Sequence, residues 1–513
     1  MIAASIQSLR ALDEAAISGG VPGLALMERA GAGVAAAVLA RFAGVQGRRV
    51  LVVCGKGNNA GDGFVAARLL LAGGVEAACL LLYDKEACTR DAQENLDRAG
   101  TSGVRFFDGT PGTPLPDFSV FDLLVDAIFG TGFSGEVTGP LKTCIDAMNA
   151  SGRPVVSVDT PSGIDSNTGA VNGSAVRATE TVTMGLPKLG QLFYPARTHV
   201  GHLLACDIGY DLRLLKKQPP PLAHWTDRAL ARAGIPTRPG DTHKNRCGRV
   251  LCVAGSRGLT GAAVLSAHAV LRSGAGVVTL CVPESLNIIF EIKLTEEMTL
   301  PLKDAGKGFL GTRHAKTVLK AAESYDVLLV GPGLGRSPDT RALVRTLTLK
   351  SPVPVVLDAD GINAFEGKAG LLKTARSPLV LTPHEGEFLR LTRHAAVPQQ
   401  GPERIRFTCE AQKALCAGLV LKGASTLVSF TPDEVYINTS GNAGMATAGA
   451  GDVLTGLLAG LFAQGRDLKS AAITAVYLHG LAGDIAARTR GVHGLIASDI
   501  LERLPDAFLE TLS

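Results

Sequence analysis

Short apolar runs recur along this chain, and each gives way to a polar, glycine-rich loop and then to a helical pattern. In the first half the runs span 48–54, 77–83, 122–128, 154–159, 180–184 and 202–207, after an alanine-rich helical segment from about Ser5 to Phe42. In the second half they span 249–254, 277–282, 326–330, 353–357, 379–382 and 419–421, and 427–430 with 435–438 reads as an antiparallel hairpin. Buried strands that alternate with helices predict parallel, doubly wound sheets. The expected fold class is therefore α/β, with two doubly wound three-layer domains. Between them Pro219, Pro220 and Pro221 stand in a row, and such a run continues neither a helix nor a central strand. The expected domains are 1–215 and 225–513, joined by a proline-rich linker over 216–224.

In sheets of this kind the loops after the strands share one edge and carry the chemistry. The stretch from Asn442 to Gly456 joins a glycine-rich turn to an apolar helix expected to begin near Asp452 or Val453. Gly449 and Gly451 lack a Cβ, so backbone N–H groups there can approach an anion, and the helix start favours negative charge. Asp452 is placed to take a proton from a substrate hydroxyl; it is equally suited to be an N-cap. His384, among Pro383, Glu385, Gly386 and Glu387, is a site residue or a capping histidine. Lys422, directly after a buried strand, is a phosphate contact or a solvated lysine.

The first half offers Gly55-Lys56-Gly57-Asn58-Asn59-Ala60-Gly61-Asp62-Gly63 before a helix expected over 64–72. This is neither the dinucleotide glycine fingerprint, since its third glycine comes one residue late, nor a P-loop, since no Lys-Ser/Thr follows. Two asparagines and an aspartate favour an anion site over a plain turn. Asp126 and Asp159 end two further strands. With Asn59 and oxygens near Ser162, Asp126 would form an all-oxygen cluster with one carboxylate, which suits a hard, weakly charged cation; otherwise it caps its own loop. Asp159 is a candidate general base.

A chain of 513 residues has room for more than one domain. Its net charge of +4 is spread along the sequence, which gives a nucleic-acid partner little electrostatic support. None of the ten cysteines forms a C-x-x-C pair, so zinc and redox sites are not expected and a reducing compartment is. Residues 1–7 lack the cationic and apolar regions of a signal peptide, and no apolar run reaches the roughly 18 residues of a membrane helix. The expectation is a cytoplasmic protein with no membrane partner.

The motifs Asn58 to Gly63, Asp126-(x)3-Gly130-Thr131-Gly132 and Val158-Asp159-Thr160-Pro161-Ser162-Gly163 resemble the NAD(P)H-hydrate epimerase domain, whose sheet is Rossmann-like. That resemblance implies exchange of the R and S epimers of hydrated NADH and NADPH. It implies substrate contacts at Asn58, Asn59, Ala60, Gly61 and Asp62, and at Gly130, Thr131, Gly132, Phe133, Ser134, Gly135 and Glu136. It also implies potassium (K+) held by Asn59, Asp126 and Ser162, and substrate binding with proton transfer at Asp159.

The second half resembles the ribokinase-like superfamily, and more narrowly the NAD(P)H-hydrate dehydratase domain. The motifs are Gly255-Ser256-(x)4-Gly261-Ala262, Gly331-Pro332-Gly333-Leu334-Gly335, Asp358-Ala359-Asp360-Gly361, Thr382-Pro383-His384-(x)-Gly386-Glu387, Lys422-Gly423 and Asn442 to Asp452. Leu259 stands where many relatives carry tyrosine. The resemblance implies dehydration of the S hydrate to NAD(P)H at the expense of ADP, giving AMP and phosphate, with magnesium (Mg2+). Asp452 would be the base; Ala262, Gly333 and His384 would contact the hydrate; Lys422, Gly423, Ala424, Ser425, Thr426 and Gly451 would bind nucleotide. A homo-oligomer is expected. The competing reading is a small-molecule kinase of the ribokinase-like group with a non-catalytic N-terminal binding module.

Overall fold

The computed structural model describes residues 1–42, 48–217, 221–399 and 401–513. The chain forms two compact units, one of residues 2–219 with 400–402 and one of Met1, 220–399 and 403–513. Within the proline-rich segment, 218–220 lie outside the described residues.

The first unit is built on a parallel sheet of β1 (Arg49–Cys54), β2 (Glu76–Leu81), β3 (Arg105–Asp108), β4 (Leu123–Ala127), β5 (Val155–Val158), β6 (Glu180–Met184) and β7 (His202–Cys206). Their order is β3-β2-β1-β4-β5-β6-β7, and every pair is parallel. β1, β4 and β5 are buried almost throughout because helices cover both faces. The order reverses between β1 and β4, so the loops after those two strands open a crevice.

The helical segment expected from about Ser5 to Phe42 forms two helices, α1 (Ile6–Ser18) and α2 (Gly23–Arg41), separated by Gly19-Gly20-Val21-Pro22. α2 is long and apolar enough to cross a membrane by length and composition, yet it packs Val34 and Val38 into the core of this unit. The helix expected over 64–72 starts at Asn58 and runs to Ala72 as α3. The glycines are not an open loop. A Cβ on Gly61 would lie 2.4 Å from Met27 Sδ and one on Gly63 2.7 Å from Ala127 Cβ, so they let α3 close onto α2 and β4. Close packing overrides the poor helix propensity of glycine. β3 has no counterpart in the sequence reading, because it is short and largely exposed.

The second unit is built on a mixed sheet: β8 (Leu222–Thr226), β9 (Arg249–Val253), β10 (Val277–Pro283), β11 (Met298–Leu302), β12 (Val327–Val330), β13 (Val355–Leu357), β14 (Leu379–Leu381), β15 (Gly418–Leu421), β16 (Leu427–Thr431) and β17 (Glu434–Asn438). Their order is β8-β17-β16-β15-β14-β13-β12-β9-β10-β11, antiparallel only at β15/β16 and β16/β17. The last residues assigned to the linker, 222–224, belong instead to β8, which pairs in parallel with β17. The order reverses between β12 and β9.

Helix α4 (Thr260–Arg272) packs against α5 (Ala450–Ala463), and glycines set the distance between them. A Cβ on Gly456 would lie 2.1 Å from Ser266 O, and one on Gly460 2.0 Å from Ser273 Oγ. Gly456→Val is expected to lower stability by about 1–3 kcal/mol through overpacking, visible as a lower melting temperature. An unchanged melting curve would refute this account of the packing.

Candidate functional site

In the first unit, the crevice between β1 and β4 gathers Asn59, Phe129, Asp126 and Ser162. Asn59 Nδ2 donates to Phe129 O (2.9 Å) and Ser162 Oγ accepts from Phe129 N (2.8 Å). Asp126 is fully buried. It accepts from Ser157 Oγ (2.9 Å), Ser162 N (2.8 Å) and Ser162 Oγ (2.6 Å). Burial raises its carboxyl above the ordinary value, against those hydrogen bonds. Among the described residues no basic side chain forms an ion pair with it. Residues 130–136 leave the crevice as a loop whose Gly132 and Ser134 to Glu136 are exposed, with Phe129 and Phe133 stacked at 4.7 Å. Within α3, Asn58 accepts from Thr89 Oγ1 (2.8 Å), whereas Ala60 and Gly61 are turned into the core.

Asp159 follows β5 at φ 63°, a conformation that costs an aspartate energy and that the surroundings must hold. Gln191 Nε2 donates to its carbonyl (2.7 Å), and its carboxylate accepts from Met184 N (3.0 Å). It also forms a buried ion pair with Lys188 Nζ, which donates further to Thr183 Oγ1 (2.9 Å) and Met184 O (3.1 Å). Asp62 faces the same group. Burial first, and then the negative charge of Asp159, lifts its carboxyl well above the carboxylate range. Asp13, bonded by Tyr210 Oη (2.5 Å), is also raised, chiefly by burial. Asp159 is thus set against the Lys188 side chain beside a second carboxyl that holds its proton more tightly than usual, a pairing that suits acid and base work. Sequence reasoning missed Lys188; the signal available was a lone lysine within the otherwise uncharged run 185–193.

In the second unit, the site is organised by Asp358 at the end of β13. It is buried and accepts from Lys422 Nζ (2.9 Å) and Thr455 Oγ1 (2.6 Å). Ala359 next to it has φ 51°, another non-glycine residue held in the left-handed region. α5 begins at Ala450, slightly before the expected start, with Gly449 as its left-handed N-cap. Asp452 lies in the first turn. Burial, then the Asp358 charge, pushes its carboxyl up to about 7, against the pull of Lys422. A carboxylate tuned near neutrality suits a general base. Gly451 gives room for this: a Cβ there would lie 3.1 Å from Lys422 Nζ.

His384 caps a helix. Its Nδ1 accepts from Gly386 N (3.1 Å) at the start of the helix Glu385–Thr392, and Glu387 Oε2 accepts from His384 N (3.0 Å). Burial and Lys422 lower its pKa, so the ring is neutral with Nε2 carrying the proton. Gly333 and Ala262 adjoin each other at the β12–β9 reversal, where Ser256 Oγ donates to Gly333 O (2.9 Å). In the loop 422–426, Lys422 points at Asp358 instead of away from the protein, while Thr426 Oγ1 bonds Gly423 O (3.0 Å). Asp358 enters the sequence reading only as part of a motif and Thr455 only within the stretch 442–456, neither with a role of its own, although Asp358 accepts from both Lys422 and Thr455. Their role needs the strand order that puts β13 beside α5.

Residues 250–506 match the family model described as NAD(P)H-hydrate dehydratase, and residues 23–190 match the YjeF-related protein N-terminus. The chain is 42% identical over 494 residues to a bifunctional NAD(P)H-hydrate repair enzyme of Moorella thermoacetica, covering 94% of this chain and 92% of that one. It is 38% identical over 511 residues to the protein of that name from Thermofilum pendens, covering 99% and 96%. Among solved structures, an ADP/ATP-dependent NAD(P)H-hydrate dehydratase from Bacillus subtilis, co-crystallised with ATP and Mg2+, is 29% identical. It covers 56% of this chain and 98% of that one, with a TM-score of 0.48.

Proposed function

The chain belongs to the bifunctional NAD(P)H-hydrate repair enzymes, and from that premise we propose how its parts divide the work. Residues 1–215 carry the epimerase and 225–513 the dehydratase. Relatives that match across both halves favour this over a kinase with a non-catalytic module. The observation that carries the dehydratase reading is Asp452, a carboxyl near pKa 7 in the first turn of a helix beside the Lys422–Asp358 pair.

Hydration of a dihydronicotinamide puts a hydroxyl on the carbon next to the ring nitrogen. In the dehydratase, Asp452 takes the proton of that hydroxyl, and its oxygen attacks the terminal phosphoryl of ADP, releasing AMP. The ring nitrogen then expels phosphate as the neighbouring carbon loses a proton, which restores NAD(P)H. N–H groups at residues 449–451 stabilise the transferring phosphoryl. Lys422 holds Asp358 and places positive charge beside the phosphates, residues 423–426 bind the nucleotide, and Ala262, Gly333 and His384 hold the hydrate. Magnesium bound with the nucleotide would supply further positive charge to the phosphates beside Lys422.

In the epimerase, Asp159 takes the hydroxyl proton, the carbon–nitrogen bond opens and Asp62 returns a proton to nitrogen. Rotation and reclosure give the other epimer. Lys188 pairs with Asp159 and fixes its position, and residues 58–62 and 130–136 bind the hydrate. Asn59, Asp126 and Ser162 fit potassium: the set can present oxygen donors around a buried carboxylate with no basic partner, and the ion would supply that partner. Asp126→Asn is expected to raise the potassium needed for epimerisation by roughly tenfold or more, since one full charge leaves the cluster. An unchanged potassium dependence would remove Asp126 from the site.

Ten free cysteines support a reducing, cytoplasmic setting. Exposed Ile288, Ile292 and Met298 support a homo-oligomer, which sedimentation would test. The whole reading is tested with a mixture of both NADH-hydrate epimers, ADP, magnesium and potassium, followed by near-ultraviolet absorbance. Full recovery of NADH is expected. Recovery of the S fraction alone would overturn the epimerase assignment, and no recovery with ADP or ATP would overturn the dehydratase.

A further inference from the structure

A pocket of about 170 Å³ opens at the β12–β9 reversal of the second unit and is lined by Ser256, Arg257, Lys307, Gly308, Arg336 and Ser337. Three of these side chains are cations. Arg336 pairs with Asp360 (3.1 Å). Among the described residues no carboxylate lies within ion-pair distance of Arg257 or Lys307. Arg257 donates to Gly306 O (2.9 Å), and the Lys307 ammonium sits 5.9 Å from the centre of the Phe309 ring. The nearby carboxylates are otherwise engaged: Asp304 accepts from Ser285 Oγ (2.6 Å) and Gly308 N (2.6 Å), and Asp339 from Thr312 Oγ1 (2.6 Å). Two of the three cations, Arg257 and Lys307, therefore line the pocket without an ion pair of their own among the described residues.

Its place in the sheet says what that charge meets. Asp358 ends β13, and the pocket is built from loops after β9, β12 and β11. β9 lies two strands from β13 and β11 four, which is about 10–19 Å at the usual strand spacing. Lys422 lies two strands from β13 in the opposite direction, on the side read as binding the phosphoryl donor. A dinucleotide whose dihydronicotinamide reacts at Asp452 and whose chain runs away from the donor would bring its phosphates over this pocket. The geometry points to Arg257, Lys307 and Arg336 as the subsite for a phosphate of the hydrated dinucleotide, either its pyrophosphate or the 2′-phosphate that distinguishes NADPH. This rests on the reading of the second unit as the dehydratase.

The test uses the full chain with Arg257→Ala, Lys307→Ala and the double variant, and the S hydrates of NADH and NADPH assayed separately. Each single variant is expected to raise KM for the hydrate roughly tenfold, the effect of losing one charge-assisted hydrogen bond. kcat and KM for ADP stay near the parent values, and Lys307→Arg restores binding. A rise for both hydrates identifies the pyrophosphate, and a rise for NADPH hydrate alone identifies the 2′-phosphate. Unchanged KM for both hydrates, or a rise in KM for ADP instead, overturns the subsite. A parent enzyme that dehydrates neither hydrate would mark failure of the underlying functional reading.

Discussion

Asp452→Asn is expected to cut the dehydratase kcat by roughly 10²–10⁴-fold, the range for removing a general base, while nucleotide still binds. The nucleotide contacts proposed at residues 449–451 are backbone N–H groups, which the substitution leaves in place. In the parent, the carboxyl must be ionised to accept a proton, so kcat/KM for the hydrate falls as pH drops below about 7. The residual activity of the variant should lose that dependence. Stability moves in the opposite sense. The folded-state pKa is raised above the usual carboxylate value of about 4, so the protonated form favours folding. That contribution is complete at low pH and lost as pH rises towards 7. Asp452→Asn should therefore melt higher than the parent above pH 7, and the gain should disappear in acid. A variant with near-parental kcat would overturn the base assignment whatever its melting curve.

Asp159→Asn should lower epimer exchange by a similar factor while dehydration of pure S hydrate proceeds at the parent rate. Lys188 complicates the substitution. Its ammonium is buried, and losing the partner of a buried charge costs about 3–5 kcal/mol. The asparagine carbonyl, Thr183 Oγ1 and Met184 O remain as acceptors, so part of that cost is recovered. A lower melting transition with intact S-hydrate turnover would locate the damage in the first unit. Asp62→Asn separates chemistry from folding more cleanly, because it is isosteric with the protonated acid yet has no carboxyl proton to give. It should keep the parental melting behaviour and lose exchange. Parental exchange rates in both Asp159→Asn and Asp62→Asn would eliminate the acid–base pair.

Much of this protein is legible along the chain. Uninterrupted apolar runs as short as 50–54 and 327–330, each followed by a glycine-rich loop, fit strands buried on both faces, and alternation with helices makes their sheets parallel. The glycines and carboxylates after those strands mark the candidate sites, because that edge is where loops must turn tightly and ligands enter. What the chain leaves open is proximity. Glycines 61 and 63 read as part of an anion-binding loop but lie in a helix and serve its packing, since local pattern cannot show that Met27 and Ala127 press against them. Lys188 reads as an ordinary lysine until the fold buries it against Asp159, some thirty positions earlier. Asp358, Lys422 and Asp452 come from three separated segments, and only the strand order sets one carboxylate beside another so that burial and repulsion lift Asp452 to about 7. Residue identity and spacing determine which groups are available. Their pKa values and partners depend on distance and burial, which exist only once the chain has folded.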